Sequence, residues 1–247
     1  MTTVAVMADP PVDGFVLPDL AGGPLEESEA TALYTAMLTD VCRAIEASGA
    51  ELLVNYRPEG QVPDGVDPEA AVREHLDAAL DAPGEVRYEV QVGSTHSARV
   101  GNTVTHLLER EGVKTAAAVE PTAGLLTRQL VDSAAMKLRS SGVVLGPASE
   151  GRVFYAGFAE PVDFEDAFAT PTVQRLTDRA MDADLGVDFL PSMPVVESPR
   201  DLLTVVPLLR ARLRAERVVP PRTTTLIQEL GLRVETTADG PALVRDD

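Results

Sequence analysis

The sequence has very little lysine for its size. Lys114 and Lys137 are the only lysines among 21 basic residues, against 39 acidic residues and a formal net charge of -18. Abundant acid with scarce lysine suits a protein kept soluble in concentrated salt, so the composition favours a halophilic cytoplasm; an acidic mesophilic protein is the alternative. The acidic balance argues against nucleic acid or an anionic membrane as a partner, because phosphate binding requires a basic face.

The excess of acid predicts a stability that depends on salt. Carboxylates that repel one another at low ionic strength are screened in molar salt, so the melting temperature is expected to rise from dilute buffer to molar KCl. Thermal unfolding followed by circular dichroism across a KCl series measures this. A melting temperature that stays constant or falls would contradict the halophilic interpretation.

Cysteine is nearly absent as well. The single Cys42 excludes an intrachain disulfide and a cysteine-based metal cage. Leu38, Val41 and Ile45 recur around it at helical spacing, which predicts a buried helix position and not a nucleophile. Residues 1–7 are too short and lack the basic start of a signal peptide. No apolar run approaches the roughly 20 residues of a membrane span, so we expect a soluble, cytoplasmic protein.

The common catalytic and phosphate-binding motifs are missing. The sequence contains no Gly-x-x-x-x-Gly-Lys, no Gly-x-Gly-x-x-Gly and no Gly-x-Ser-x-Gly, and no Ser/His/Asp set is evident. Of its three histidines, only His96 falls in a candidate site loop. It is interpreted there as a capping or solvated residue, with a general base as the alternative.

Apolar strands and amphipathic helices alternate along the chain at intervals of about 30 to 40 residues, as βαβ units do. The pattern predicts a single α/β domain, a mainly parallel sheet of about six strands with helices on both faces. Strands are predicted at 3–7, 51–56, 86–92, 114–119, 143–145, 153–158 and 187–190. Helices are predicted at 25–48, 68–80, 97–111, 122–140, 170–182, 199–214 and 223–230. The last dozen residues are polar and are expected to be frayed.

Acidic side chains are frequent in the loops that follow the predicted strands. Ligands of an open α/β sheet bind beyond the carboxyl ends of its strands. Clustered carboxylates at that edge could bind Mg or Mn, which take oxygen ligands, although with 39 acids some fall in every loop by chance. The loops are 8–24, 92–97, 120–124, 147–151 and 194–201. Their acids are Asp9, Asp13, Asp19, Glu120, Glu150, Glu197 and Asp201.

Five short motifs, in order and at compatible spacing, carry a resemblance to a known family. Residues 5–14 resemble its opening strand and Lys-Pro-Pro-x-x-Gly turn, and 91–93 with Arg99 resemble Gln-x-Gly-x-Leu-Gly-x-Arg. Residues 145–151 resemble Leu-Gly-Pro-Ala-x-Asp-Gly-Gly, 169–173 resemble Ser-Thr-Pro-x-Val, and 195–202 resemble Asp-x-Asp-Thr-Pro-x-Asp-Leu.

Over roughly residues 4–209 the chain thus resembles a largely uncharacterised prokaryotic family with the glycosyltransferase-A (nucleotide-diphospho-sugar transferase) fold. Some of its members are glycosyltransferases of an arsenosugar-biosynthesis type, and this chain would be a divergent, haloarchaeal member. The resemblance implies one such domain at 1–215, followed at 216–247 by an extension with a short helix and a polar tail.

The resemblance also implies a site for a nucleotide or NDP-sugar donor, with no indication of the acceptor. Substrate or nucleotide contacts are implied at Ala8, Asp9, Pro10, Pro11, Gly14, Gly93, Arg99 and Gly151. A divalent metal, Mg or Mn, is implied at Glu120, Glu150 and Glu197. The chain departs from the family where basic residues of the opening loop are replaced by Asp9, Phe15, Leu17 and Asp19, which removes attraction for phosphate.

The function that the resemblance implies is metal-assisted transfer of a sugar from an NDP-sugar, in which the metal stabilises the leaving nucleoside diphosphate. Glu120 lies one position beyond the family's Asp, and Glu197 replaces an Asp-x-Asp pair, so activity is either weak or lost. One alternative is a catalytically degenerate binding or regulatory protein on the same fold. A second alternative is a nucleotidyltransferase.

Overall fold

The structure is a computed structural model that describes residues 1–238 and 240–246. Its strands are β1 (Thr2–Ala8), β2 (Glu51–Tyr56), β3 (Arg87–Val90), β4 (Thr115–Val119), β5 (Val143–Pro147), β6 (Val153–Phe158), β7 (Val187–Phe189), β8 (Leu232–Thr237) and β9 (Gly240–Arg245). Its α-helices are α1 (Glu27–Glu46), α2 (Pro68–Leu76), α3 (His96–Thr105), α4 (Arg128–Lys137), α5 (Thr172–Asp182), α6 (Pro199–Arg214) and α7 (Pro221–Glu229). One π-helical turn, His106–Arg110, continues α3.

Seven strands form one sheet in the order β3-β2-β1-β4-β6-β5-β7. Only β6 runs antiparallel to its neighbours, because it returns from β5 through a hairpin. The chain steps outward from β1 to β2 and β3 and then crosses back to β4, so the carboxyl ends of β1 and β4 flank the point where the winding direction changes. Ligands of such sheets bind at that crevice. The single α/β domain with a mainly parallel central sheet, predicted from the sequence, is confirmed.

The strand pleat divides the core into one layer on each face of the sheet. Along β1, Val4 and Val6 pack with the apolar side of α1, whereas Ala5 and Met7 pack with α3 on the opposite face. All seven residues of β1 are buried, as expected for a strand covered by helices on both sides. Cys42 is fully buried within α1, as its spacing predicted, and burial raises the pKa of its thiol.

The helix predicted at 122–140 begins later than its apolar pattern indicated. Residues 120–127 form turns instead, and the Thr127 side chain caps α4 by accepting a hydrogen bond from the backbone N–H of Leu130. Pro121 therefore lies in this turn segment and not in a helix. Glu120 lies in the loop that directly follows β4, as the sequence predicted.

The prediction of a frayed tail is wrong for the described part of it. β8 and β9 pair as an antiparallel hairpin, with Leu232 opposite Arg245. Leu232 is fully buried, and Arg245 donates two hydrogen bonds to the carboxylate of Glu29 on α1. Alternating apolar residues on short strands thus hold the hairpin to the domain. Asp239 and Asp247, also part of the predicted tail, lie outside the described residues. None of the described helices has the length and hydropathy of a membrane span.

Candidate functional site

A cavity of about 300 Å³ opens beyond the carboxyl end of β4, between the start of α3 and the β5–β6 hairpin. Its volume is at the lower end of the range for small-molecule sites. The wall combines charged, hydroxyl and aromatic side chains. They are His96, Ala118, Glu120, Arg152, Val153, Phe154, Tyr155, Phe168, Thr170, Thr172 and Glu197.

His96 and Glu120 form an imidazole–carboxylate pair in this cavity. Nε2 of His96 lies 3.1 Å from Oε1 of Glu120, and the rings of His96 and Phe168 make a T-shaped contact at a centroid distance of 5.3 Å. Burial lowers the pKa of His96, but the charge and hydrogen bond of Glu120 outweigh it and leave the pKa above its ordinary value. The sequence interpretation gave His96 a capping or solvated role. The cap of α3 is instead Thr95, whose side chain accepts a hydrogen bond from the backbone N–H of Ala98.

Arg152 lies on the opposite wall and joins the hairpin to the start of α6. Its Nη1 donates to Glu197 at 2.8 Å and to Asp201 at 3.0 Å, and its Nη2 donates to Asp201 at 2.6 Å. Asp201 is 6 % exposed and also accepts from the backbone N–H groups of Glu197 and Ser198, within a capping box. Burial raises the pKa of Asp201, but the bonds from Arg152 and the backbone outweigh it and hold the pKa below its ordinary value.

The three carboxylates expected to bind metal are not brought together. Glu120 and Glu197 both line the cavity, but each already has partners. Glu197 accepts hydrogen bonds from Arg152 and from the Thr122 hydroxyl, and Glu120 pairs with His96. Glu150 lies in a left-handed turn with φ 61°, and its carboxylate is 3.6 Å from Arg200. Across residues 1–238 and 240–246, no three His, Cys, Asp or Glu side chains are grouped as metal ligands. The residues present therefore do not fit a three-carboxylate Mg or Mn site.

The residues implied in the opening loop have separate environments. The carboxylate of Asp9 pairs with the guanidinium of Arg57, which follows β2. The backbone N–H of Asp9 donates to the hydroxyl of Tyr34 at 2.7 Å. Ala8 and Pro10 are buried, and Pro11 lines a different groove against α1 and α7. A Cβ at Gly14 would lie 3.4 Å from Glu27 on α1. Of this group, Asp9 alone has interactions that extend towards the cavity, since its charge acts on His96.

Gly93 and Arg99, both implied as substrate or nucleotide contacts, lie close to each other. Gly93 has φ 136°, and a Cβ there would lie 2.9 Å from the backbone N of Arg99, so the turn requires glycine. The carbonyl of Gly93 accepts from Nε2 of Gln61 at 2.9 Å, and Oε1 of Gln61 accepts from Nη1 of Arg99 at 3.3 Å. Gly151 also has a positive φ of 73°, but it packs against Pro171 and is not part of the cavity wall.

The sequence interpretation missed three polar residues of this region. Arg57 directly follows β2, and Arg152 directly follows the turn at 149–151, so both lie just outside the loops that were searched. Tyr155 lies on β6 and lines the cavity, but its buried hydroxyl lies near Gly157 and Leu138 and has no hydrogen-bond partner among the described residues. A buried hydroxyl without a partner is uncommon.

The chain has the nucleotide-diphospho-sugar transferase fold. It aligns with a Desulfovibrio desulfuricans G20 protein assigned as a nucleotide-diphospho-sugar transferase at a TM-score of 0.73 and 21% identity, over 92% of this chain and 94% of that one. It aligns with 4-diphosphocytidyl-2C-methyl-D-erythritol synthase of Anaerococcus prevotii DSM 20548 at a TM-score of 0.50 and 13% identity, over 85% and 96%. No protein-family model matches the chain, and no curated protein sequence matches it significantly.

Proposed function

We propose that the protein is a transferase acting on a nucleotide-diphosphate sugar, with its active site in the cavity beside the His96–Glu120 pair. The observation that carries the proposal is this pair, held in a cavity of about 300 Å³ beyond the carboxyl end of β4. The fold supports it, since the D. desulfuricans protein is assigned as a nucleotide-diphospho-sugar transferase. We propose transfer of the sugar and not of the nucleotidyl group.

In this proposal each residue of the site has a separate role, which its charge or polarity determines. A protonated His96, held by Glu120, stabilises the negative charge that develops on the leaving diphosphate, as preorganised donors do. Glu120 orients the imidazole and keeps it protonated. Phe168 supplies an apolar wall.

Product analysis tests this function directly. The protein is incubated with a panel of UDP-, GDP-, CDP-, ADP- and dTDP-sugars and separately with nucleoside triphosphates plus sugar phosphates, and the products are separated by anion-exchange chromatography. Sugar transfer or donor hydrolysis releases a nucleoside diphosphate, which is the expected result. Release of pyrophosphate from a triphosphate would replace the proposal with nucleotidyl transfer. Binding without any turnover of the whole panel would replace it with a binding or regulatory role.

A further inference from the structure

Strand β3 forms one edge of the seven-stranded sheet, and its outer side carries backbone groups without partners. β3 pairs in parallel with β2, with Val90 opposite Tyr56, and the backbone N–H of Gln91 donates to the carbonyl of Tyr56. Because backbone groups alternate in direction along a strand, those of Tyr88 and Val90 point away from β2. Within the described part of the chain, no hydrogen bond reaches these outward groups. They are therefore free to pair with another strand.

The opposite edge of the sheet, β7, is blocked by one of its own side chains. The backbone N–H of Leu190 donates to β5, so that of Phe189 points outward. The carboxylate of Asp188 accepts a hydrogen bond from this outward N–H at 2.7 Å. Pro191, which has no N–H to donate, follows directly after Leu190. β7 is thus protected against pairing with a further strand.

β3 lacks such protection. It contains neither proline nor lysine, the residues that commonly protect a sheet edge. Val90 at its end is 46 % exposed, and Val92 just beyond is 62 % exposed. Beside these two valines, a groove of about 480 Å³ lies between β3 and the helical segment that begins with α3, where Asn102, Thr103 and His106 line it. An open edge with an apolar rim and an adjoining groove is a surface on which another strand can dock.

The sequence along this edge is complementary to itself. The five residues from Val86 to Val90 are Val-Arg-Tyr-Glu-Val. In an antiparallel pair of such strands with Tyr88 on the two-fold axis, Arg87 of each copy lies opposite Glu89 of the other. Val86 then lies opposite Val90, and the two Tyr88 residues form a hydrogen-bonded pair through their outward backbone groups. Opposite charges and apolar side chains placed directly across a ladder are favourable, and a two-fold interface requires this self-complementarity.

The charges around Arg87 leave room for a second guanidinium. Arg87 pairs with Glu51, Glu89 and Glu111, so three carboxylates of the chain share one arginine, and His106 also faces Glu111. A carboxylate accepts about four hydrogen bonds, so Glu89 can bind Arg87 of a second copy without releasing its own. Salt screens the long-range repulsion between two acidic chains more than it weakens charges in contact. Association should therefore be stronger in molar KCl than in dilute buffer.

We propose that two copies of this chain associate through β3, antiparallel about a two-fold axis at Tyr88, so that one sheet continues across both copies. In this register the turn Pro83–Glu85 of the second copy lies beside Val90 and Val92, at the end of the strand where the groove opens. Strands of four residues bury little area when they pair alone, so the contacts of this turn are needed to reach the area of a specific interface.

Sedimentation equilibrium across a protein concentration series, at one fixed molar KCl concentration, tests the proposal without any substrate. The wild-type protein is expected to show a monomer–dimer equilibrium. Val90→Pro removes an outward N–H that the chain's own sheet does not use, and should weaken the dimer about tenfold or more. Phe189→Pro removes the outward N–H of β7 and is the matched control, with dimerisation unchanged. The melting temperature of each variant shows whether it is folded.

Two charge variants test the register independently of Val90→Pro. Glu89→Arg places arginine opposite arginine across the axis, and Arg87→Glu places glutamate opposite glutamate. Each variant alone is expected to associate about tenfold more weakly than wild type, whereas a mixture of the two should form a dimer again, because every cross-strand pair then has opposite charges.

Four results would overturn the proposal. They are a wild-type protein that stays monomeric over the whole series, a folded Val90→Pro variant that dimerises as wild type does, a dimer lost in Phe189→Pro, and charge variants whose mixture associates no better than either alone. The first rejects self-association itself. The other three reject β3, or this register of it, as the interface.

Discussion

Replacing Glu120 by glutamine is expected to lower the rate of sugar transfer on the order of 100-fold or more, in the range of acid–base and charge-stabilising groups. Glutamine has nearly the same shape but no charge, so His96 loses the group that keeps it protonated and oriented. The rate of nucleoside diphosphate release at saturating donor measures the effect. Because the change is nearly isosteric, the melting temperature should move little.

The pH dependence of activity is a second property that Glu120→Gln is expected to change. Glu120 raises the pKa of His96 against burial, and the other groups that face the imidazole are Arg99, Asp9 and the ring of Phe168. A raised pKa keeps the active, protonated form populated at higher pH, so wild-type activity should fall as pH rises through that pKa. In Glu120→Gln the activity should fall at a lower pH, because the carboxylate charge that raises the pKa of His96 is gone.

A second His–Glu pair provides the matched control. His106 lies 3.3 Å from Glu111, outside the cavity. Glu111 also accepts two hydrogen bonds from Arg87, so the melting temperature of Glu111→Gln is measured alongside its activity. This variant should leave the rate of transfer and its pH profile unchanged. Equal losses of rate in the two variants, or a Glu120→Gln variant with wild-type rate, would contradict the role of the His96–Glu120 pair.

The fold was predictable from the sequence because its determinants are local. The strand–helix alternation and the apolar periodicity of segments such as 25–48 specify a parallel sheet covered on both faces. The C-terminal hairpin was not predicted, because its strands are short and carry only a few apolar residues, such as Leu232 and Leu243, among polar ones. Their burial depends on packing against elements far away in sequence.

The candidate site was only partly predictable. Glu120, Glu197 and Arg99 were predicted as site residues, whereas His96 was interpreted as a capping or solvated residue. The partners of all four depend on which strand ends become neighbours. The Arg57–Asp9 pair joins residues 48 apart, and the Arg152–Asp201 pair joins residues 49 apart. The sequence alone does not distinguish a carboxylate that binds a guanidinium from one that binds a metal. Glu197 was therefore predicted to bind a metal, and in the structure it accepts a hydrogen bond from Arg152.

The wall that contains Arg152 should be the part of the site on which stability depends most. Asp201→Ala removes two hydrogen bonds to Arg152 and the acceptor for two backbone N–H groups at the start of α6. Because Asp201 is 6 % exposed and the side chain of Arg152 is 16 % exposed, the variant leaves a largely buried guanidinium short of counter-charge. We expect a loss of about 3 kcal/mol in the free energy of unfolding, or roughly 6 to 12 °C in melting temperature.

The control and the pH dependence identify the cause of that loss. Asp188→Ala breaks the more exposed Lys137–Asp188 pair and should cost much less. Because the folded state lowers the pKa of Asp201, its contribution is fully present above the unfolded value of about 4 and is lost as pH falls through the lowered pKa. Urea titrations of the three proteins should therefore show a gap between wild type and Asp201→Ala that is constant near neutral pH and narrows in acid. Equal losses in the two variants, or a gap that widens in acid, would show that the Arg152–Asp201 pair does not stabilise this wall.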